Sequence, residues 1–172
     1  MAESARPEQL SLAGNLCFGC GQDNPNGLQI SIYRDPGDPK RIFGRFQPPE
    51  HMIGFPGITH GGAIYTVLDC MATWSGMVLK GTRAMWVLRS ATMTYHRPAF
   101  QADPISLSAA IEKEGGEWDA IQVRAAARDN QGNLLAEGRF KVIPVSPEKF
   151  KGMTGIEELP DGWKTWLGRR DA

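Results

Sequence analysis

The sequence predicts an α+β domain in which an antiparallel sheet of about five to six strands curls around one long helix. Segments in which apolar and polar residues alternate lie on both sides of residues 61–79, whereas that central segment has apolar residues at three- and four-residue spacing. The 172 residues suffice for one good core but not for two ordinary domains. We therefore expect one domain over residues 15–145, after a loose segment over 1–14. A tail over 146–172 is left open between a short helix and a mobile segment.

The strands are predicted from period-two alternation bounded by turn residues. Leu28, Ile30 and Ile32, for example, alternate with polar residues in the first of them. The six predicted strands cover residues 28–33, 41–47, 85–97, 105–112, 120–128 and 134–145. Gly, Asn, Asp and Pro cluster between several of them, which is typical of hairpin turns and predicts antiparallel neighbours.

The helix is predicted over residues 61–79, with Thr59 as a candidate N-cap and Gly81 as a terminating glycine. Its apolar stripe consists of Ile64, Val67, Met71, Trp74 and Val78. The opposite face has small and polar residues around a single acid: Gly62, Tyr65, Thr66, Asp69, Thr73 and Gly76. Because a solvent-facing helix side normally carries several charges, we expect this polar face to be covered by a ligand or by a second copy of the helix.

The composition argues against several classes of function. Lys plus Arg (19) equal Asp plus Glu (19), so the chain lacks the basic excess on which non-specific nucleic-acid binding depends. No apolar run approaches the roughly 18 residues of a membrane span, and the polar N-terminus does not resemble a secretion signal. We expect a cytoplasmic protein without nucleic-acid or membrane partners.

The three cysteines form an odd and sparse set that suits a reducing compartment. Cys17 and Cys20 form a C-x-x-C pair, which is found both in zinc sites and in redox pairs. Zinc requires four ligands, and the sequence offers only Cys70 and three scattered histidines besides this pair. The ligand count favours a structural loop with two free thiols, and we expect neither a metal nor a cofactor.

The start of the helix is the candidate binding site for an electrophilic carbonyl group. Free N–H groups and the positive end of the helix dipole favour an oxyanion there, and Gly61 and Gly62 let a carbonyl approach the backbone. Asp69 lies eight residues further on, roughly 12 Å along a helix, so Gly61 and Asp69 of one chain cannot reach the same carbonyl. This interpretation therefore requires a homodimer in which antiparallel helices combine Gly61 of one chain with Asp69 of the other.

Structural alternatives stay open for each of these residues. Asp69 could be a buried carboxylate hydrogen-bonded to local hydroxyls. His60 falls on the apolar side of the helix, where orienting the preceding loop is favoured over acid–base chemistry. Tyr65 and Thr73 fit interface packing as well as substrate contact.

The same residues resemble a known family. The stretch from Gly54 to Asp69, GFPGITHGGAIYTVLD, resembles the signature of hotdog-fold thioesterases of the phenylacetate-pathway and 4-hydroxybenzoyl-CoA type. The CFGCG motif at 17–21, NPNGL at 24–28 and YHRP at 95–98 resemble one branch of that family. The resemblance implies acyl-CoA hydrolysis by a dimer or a dimer of dimers.

The resemblance also implies roles for individual residues. The Gly61 N–H would polarise the thioester carbonyl, Asp69 of the partner would attack it or activate water, and Thr73 would place that water. Gly62 and Tyr65 would contact the substrate. Arg97 or Arg89 would bind the phosphates of CoA, an expectation that rests on charge alone.

Two departures from the family pattern motivate a second hypothesis. Many relatives have Asn where this chain has Gly54, and Ser or Thr where it has Leu88. Ser90, two residues further along the same strand, is expected to share the face of Leu88 and could substitute for the missing hydroxyl. The alternative function is a non-catalytic acyl-CoA or lipid-binding hotdog module, and a hotdog dehydratase is a weaker third hypothesis.

Overall fold

The computed structural model describes residues 7–168, which form a six-stranded antiparallel sheet, a separate two-stranded hairpin and three helices. The strands are β1 (Ser31–Arg34), β2 (Arg41–Phe46), β3 (Ile53–Phe55), β4 (Ile58–Thr59), β5 (Met85–Tyr95), β6 (Ile105–Lys113), β7 (Ile121–Arg128) and β8 (Leu134–Val145). The helices are α1 (Gly61–Leu79), α2 (Pro147–Thr154) and α3 (Asp161–Gly168). The predicted fold class, a large antiparallel sheet with a central helix, is confirmed.

The large sheet has the strand order β1-β2-β6-β7-β8-β5, and every neighbouring pair is antiparallel. Its inner face packs against α1, which contacts β2, β5, β6, β7 and β8. The period-two pattern explains the inner face, since Ile121, Val123, Ala125 and Ala127 of β7 are all buried while their neighbours are half-buried or exposed. The core thus lies between the sheet and the helix.

The apolar stripe of α1 is buried as predicted, and Val67 and Met71 are fully enclosed. By length and composition alone α1 could cross a membrane, but 67% of its most apolar window is buried in the fold. Gly76 does not lie on the polar face as predicted, because it is buried under the ring of Trp86. A methyl group at Gly76 would come within 2.4 Å of that ring.

Three local features depart from the predicted strands. The first strand begins at Ser31 instead of residue 28, because Gln29 has a left-handed backbone with φ of 46°. The β3–β4 hairpin was not predicted, and it places Gly54 against the backbone of His60. A β-bulge lies between Leu88 and Ser90 in β5, where Leu88 pairs with Val142 and Ser90 with Lys141.

Because of this bulge, Ser90 does not share the face of Leu88, contrary to the prediction. Leu88 packs against the core, whereas Ser90 is exposed on the outer face of the sheet. The extra residue, Arg89, breaks the period of two, so residues 88 and 90 lie on opposite faces.

The terminal segments pack on the domain. In place of a loose segment, Gln9 pairs with Tyr33 of β1, the N–H of Leu10 donates to the carbonyl of Ile32 at 2.7 Å, and Leu12 is buried. The tail forms two short helices, and Trp166 of α3 is buried with the guanidinium of Arg83 4.1 Å from its ring centre. Residues 1–6 of the expected loose segment and residues 169–172 of the tail lie outside the described residues.

Candidate active site

His60 caps the start of α1. Its Nδ1 accepts a hydrogen bond from the N–H of Gly62 at 2.9 Å, so His60 and not Thr59 is the N-cap. Because Nδ1 is the acceptor, the neutral ring carries its proton on Nε2. This contact fits the structural role that the sequence favoured for His60, and it occupies the N–H of Gly62.

Gly61 keeps its N–H available. Among residues 7–168 this group donates no hydrogen bond, while the Gly61 carbonyl accepts one from the Tyr95 hydroxyl at 3.0 Å. A Cβ at Gly61 would lie 3.4 Å from the Tyr95 ring, so the ring covers one side of the glycine. The unpaired N–H at the positive end of α1 is a ready donor to an oxyanion.

A cavity of about 560 Å³ adjoins this helix start. Apolar side chains of β4 and of the segments around β5 and β8 form much of its wall. The full lining is Gly54, Phe55, Ile58, Thr59, His60, Gly61, Ile64, Tyr95, His96, Arg97, Pro98, Ala99, Leu135 and Ala136. The exposed Arg97 is the cationic residue of this lining, so the cavity combines an apolar wall with one positive charge.

Asp69 is half-buried, and its Oδ1 is enclosed without a hydrogen-bond partner among the described residues. Burial, and next the charge of Cys17, raises the pKa of the Asp69 carboxyl to about 6. The hydroxyl of Thr73 donates to the backbone carbonyls of Asp69 at 3.3 Å and Cys70 at 3.0 Å. Local hydroxyls therefore do not bind the carboxylate, which counts against a purely structural role for Asp69.

The polar face of α1 is only partly covered among the described residues. Gly62 is exposed, and Tyr65, Thr66, Asp69 and Thr73 are half-buried at three- and four-residue spacing. The Tyr65 ring tilts against Phe140 with ring centres 5.9 Å apart. Burial, and then the charge of Asp69, raises the pKa of Tyr65, which places these two side chains within electrostatic reach.

Seven of the predicted site residues thus fall into two groups, and the other two, Ser90 and Arg89, lie apart from both. His60, Gly61, Gly62 and Arg97 meet at the helix start, and Tyr65, Asp69 and Thr73 meet near the middle of α1, about 12 Å further along the helix. Ser90 lies on the outer face of the sheet, in a shallow polar cavity with Arg124 and Glu137. Arg89 is exposed in the bulge. The structure brings neither Ser90 nor Arg89 to these two groups.

Tyr95, which the sequence showed only as part of the YHRP motif, contacts the helix start through Gly61. The alternation of β5 could have indicated this contact, because it places the side chain of the last strand residue, Tyr95, on the face towards α1. The missing Asn at Gly54 also has a local reason. A Cβ there would lie 3.2 Å from the Cα of His60, tighter than ordinary packing, so a side chain would displace the N-cap.

Three thiols, which we call the thiol cluster, lie beside Asp69. The Sγ atoms of Cys17, Cys20 and Cys70 are all within 4.8 Å of one another. Hydrogen bonds from Cys20 and Cys70 lower the pKa of Cys17, and the hydrogen bonds with Cys17 and Cys20 raise the pKa of Cys70. Sequence reasoning missed this grouping because Cys70 is 53 residues from Cys17.

Comparison with known proteins supports the fold and gives a match to one family model. A family model described as the thioesterase superfamily matches residues 56–133. A Haemophilus influenzae thioesterase superposes with a TM-score of 0.64 at 15% identity, over 74% of this chain and 85% of that one. The E. coli PaaI protein of the phenylacetic acid degradation operon superposes with a TM-score of 0.60 at 18% identity, over 69% of this chain and 81% of that one.

A Streptococcus mutans protein bound to acetyl-CoA gives a TM-score of 0.56 at 13% identity, over 62% of this chain and 82% of that one. At such identities these structures establish the fold. No curated protein matches the chain in sequence.

An antiparallel sheet wrapped around one central helix, with a glycine-rich helix start beside a cavity, defines a hotdog-fold protein. The thioesterase-superfamily model matches residues 56–133, and the E. coli PaaI protein has the same fold. Both findings agree with the resemblance to hotdog-fold thioesterases that the sequence motifs suggested.

Proposed function

We propose that the protein hydrolyses an acyl-CoA thioester to a free acid and CoA, at sites formed by two chains. One observation carries the proposal: the partly covered polar face of α1 has an unpaired N–H at Gly61 and, eight residues later, the half-buried carboxylate of Asp69. These are the two groups that thioester hydrolysis needs, a donor to the developing oxyanion and a carboxylate that attacks or activates water.

The two groups must come from different chains. Along one helix they are about 12 Å apart, which exceeds the span of a single carbonyl and its attacking atom. An antiparallel pairing of two α1 helices across a two-fold axis brings Gly61 of each chain to Asp69 of the other and creates two equivalent sites. The small residues of the polar face, such as the exposed Gly62 and the half-buried Thr66, allow such close approach.

In the proposed reaction the thioester carbonyl oxygen accepts a hydrogen bond from the Gly61 N–H. When Asp69 acts as base, it takes a proton from water as the hydroxide adds to the carbonyl carbon. The tetrahedral intermediate then collapses, the carbon–sulfur bond breaks, and CoA leaves as a thiol after receiving a proton. When Asp69 acts as nucleophile, its carboxylate displaces the CoA thiolate to form a mixed anhydride, and water then hydrolyses the anhydride to the free acid and the regenerated Asp69 carboxylate. Thr73, whose hydroxyl proton is held by backbone carbonyls, can accept a hydrogen bond from the water.

The surroundings of the helix start suggest where the substrate lies. The apolar wall of the 560 Å³ cavity suits an acyl group, and the exposed Arg97 at its edge suits a CoA phosphate. The Streptococcus mutans protein of the same fold is bound to acetyl-CoA, and a hypothetical thioesterase of this fold from Streptococcus pneumoniae is bound to CoA. Tyr65 would contact the substrate between the two catalytic groups, and further pairing into a dimer of dimers is compatible with this site. The free thiols fit the cytoplasmic location expected from the sequence.

A thiol-release screen against short, medium, long and aryl CoA esters tests the proposal. Wild-type protein is expected to turn over at least one ester, and Asp69→Asn is expected to lose turnover while keeping the fold. Glu148→Gln, which changes an exposed carboxylate of α2, is the matched control and should keep full activity. Full activity of Asp69→Asn would overturn the proposed role of Asp69.

The non-catalytic module is the alternative that Gly54 and Leu88 favour. Gly54 supplies no second carbonyl donor, and Leu88 places an apolar side chain in the core where relatives have a hydroxyl. Calorimetric binding of a CoA ester without release of free thiol across the whole panel would support this alternative and contradict hydrolysis.

A further inference from the structure

The thiol cluster has the spacing of a metal site. The Sγ atoms of Cys17 and Cys70 are 3.8 Å apart, and the Sγ of Cys20 lies within 4.8 Å of both. A tetrahedral zinc ion with Zn–S bonds of 2.3 Å separates its sulfur ligands by about 3.8 Å. The three sulfur atoms could therefore bind one ion with little rearrangement.

The loop that carries two of these thiols is held in place by its own contacts. The side chain of Asn15 is buried, accepts a hydrogen bond from the N–H of Cys17 at 3.0 Å, and directs its amide towards the Cys20 sulfur at 3.6 Å. Further along, the N–H of Leu28 donates to the carbonyl of Phe18 at 2.7 Å. Such outer contacts orient metal ligands in advance and restrict alternative rotamers.

Gly19 lets this loop reach α1. A Cβ at Gly19 would lie 2.4 Å from the Cys70 sulfur and 3.1 Å from a methyl group of Thr66, so only glycine permits this approach. The close fit brings the exposed Cys17 and the buried Cys70 together although they belong to different elements. The approach of a third thiol distinguishes this arrangement from an ordinary C-x-x-C pair.

We propose that Cys17, Cys20 and Cys70 bind a thiophilic divalent cation of the zinc type, which ties the loop before β1 to α1. Among residues 7–168 no other Cys, His, Asp or Glu joins this group, so a water molecule takes the fourth position, on the solvent-exposed side of Cys17. Cys70 directly follows Asp69 in α1, and the bound ion would therefore fix the loop beside the candidate carboxylate. This inference does not depend on hydrolytic activity.

Cobalt titration of the full, reduced chain tests the site. The protein is reduced with a phosphine, freed of metal and titrated with Co²⁺, whose thiolate complexes show charge-transfer absorption. We expect saturation at one ion per chain, followed by loss of the absorption when Zn²⁺ displaces the cobalt. Competition with a chromophoric chelator then gives the zinc affinity.

Variants distinguish the cluster from adventitious binding. Cys17→Ser changes an exposed residue and should weaken zinc binding by more than about 100-fold, since it removes a ligand and not merely an outer contact. His51→Ala, which removes an exposed histidine outside the cluster, should leave the affinity unchanged. Circular dichroism establishes that Cys17→Ser is folded, and Cys20→Ser provides a second ligand deletion if it is not.

Three results would overturn the proposal. One is the absence of charge-transfer absorption at any cobalt concentration, and another is a zinc affinity that the serine variants leave unchanged. The third is a protein that, isolated without reductant, carries no metal and is lighter by the mass of two hydrogens, with a disulfide within the cluster. That outcome would identify a redox pair instead of a cation site.

Discussion

Replacing Asp69 by Asn is expected to stabilise the fold near pH 8. Burial raises the pKa of the Asp69 carboxyl from its ordinary 3.8 to about 6, with the charge of Cys17 as the second cause. At 1.36 kcal/mol per pKa unit, the difference between these two pKa values corresponds to roughly 3 kcal/mol of unfavourable charge burial. Because the carboxyl group is only partly buried, solvent screening reduces the expected gain in the free energy of unfolding to about 1–2 kcal/mol.

The pH dependence has a definite sign. For a carboxyl whose folded-state pKa is raised, its contribution to stability is fully present below pH 3.8 and is lost as the pH rises through about 6. Asparagine does not titrate, so the advantage of the variant should grow between about pH 4 and pH 7 and stay constant above that range.

Urea unfolding followed by tryptophan fluorescence measures this difference at a series of pH values. A chelator and a phosphine reductant keep the thiol cluster metal-free and reduced in both proteins. Glu148→Gln is the control, and its difference from wild type should not follow this pH dependence. An Asp69→Asn variant that is no more stable than wild type at any pH would refute the view that the fold holds this carboxylate at an energetic cost.

The remaining predictions concern the helix and its chemistry. In the pH profile, kcat/KM should rise as Asp69 ionises through about pH 6 and level off above it, and a flat profile would contradict its role as base or nucleophile. Gly61→Pro removes the proposed donor and should lower kcat by about 10²–10³, whereas Gly61→Ala keeps the N–H, fits 3.4 Å from the Tyr95 ring and should remain active. Gly76→Ala should cost about 1–3 kcal/mol in urea unfolding, because its methyl group would meet the Trp86 ring.

Two details of the chain make these variants interpretable. His60 has φ of −59° and ψ of 134°, an extended backbone that a following proline tolerates, and proline is favoured at the first position of a helix. Gly152→Ala is the control for Gly76→Ala, because its methyl group would face open space. Equal stability of these two alanine variants would show that Gly76 is not required under Trp86.

The regular elements were predictable because each leaves a periodic trace in the sequence. In β7 alternate residues are buried, and in α1 residues such as Val67 and Met71 recur at helical spacing, so single-sequence patterns locate both elements. The β3–β4 hairpin has strands of three and two residues, too short to establish a period. The bulge at Arg89 shifts the period by one residue without any distinctive residue type.

The candidate site was only partly predictable for a related reason. Gly61, His60 and Asp69 lie on one element, so their relative placement follows from helix geometry. The contact of Tyr95 with Gly61 and the grouping of Cys70 with Cys17 join residues that are 34 and 53 positions apart. Such pairings depend on how strands and loops pack around α1, which no local pattern encodes.

Activity complementation between two inactive variants tests the two-chain site most directly. Gly61→Pro and Asp69→Asn are each expected to be inactive alone, and random reassociation of equal amounts should make half of the dimers mixed. Each mixed dimer would contain one site with both native residues and one with neither, so activity should return to about a quarter of the wild-type value. A mixture as inactive as its parents, with mixed dimers verified by differently tagged chains, would contradict a site shared between two helices.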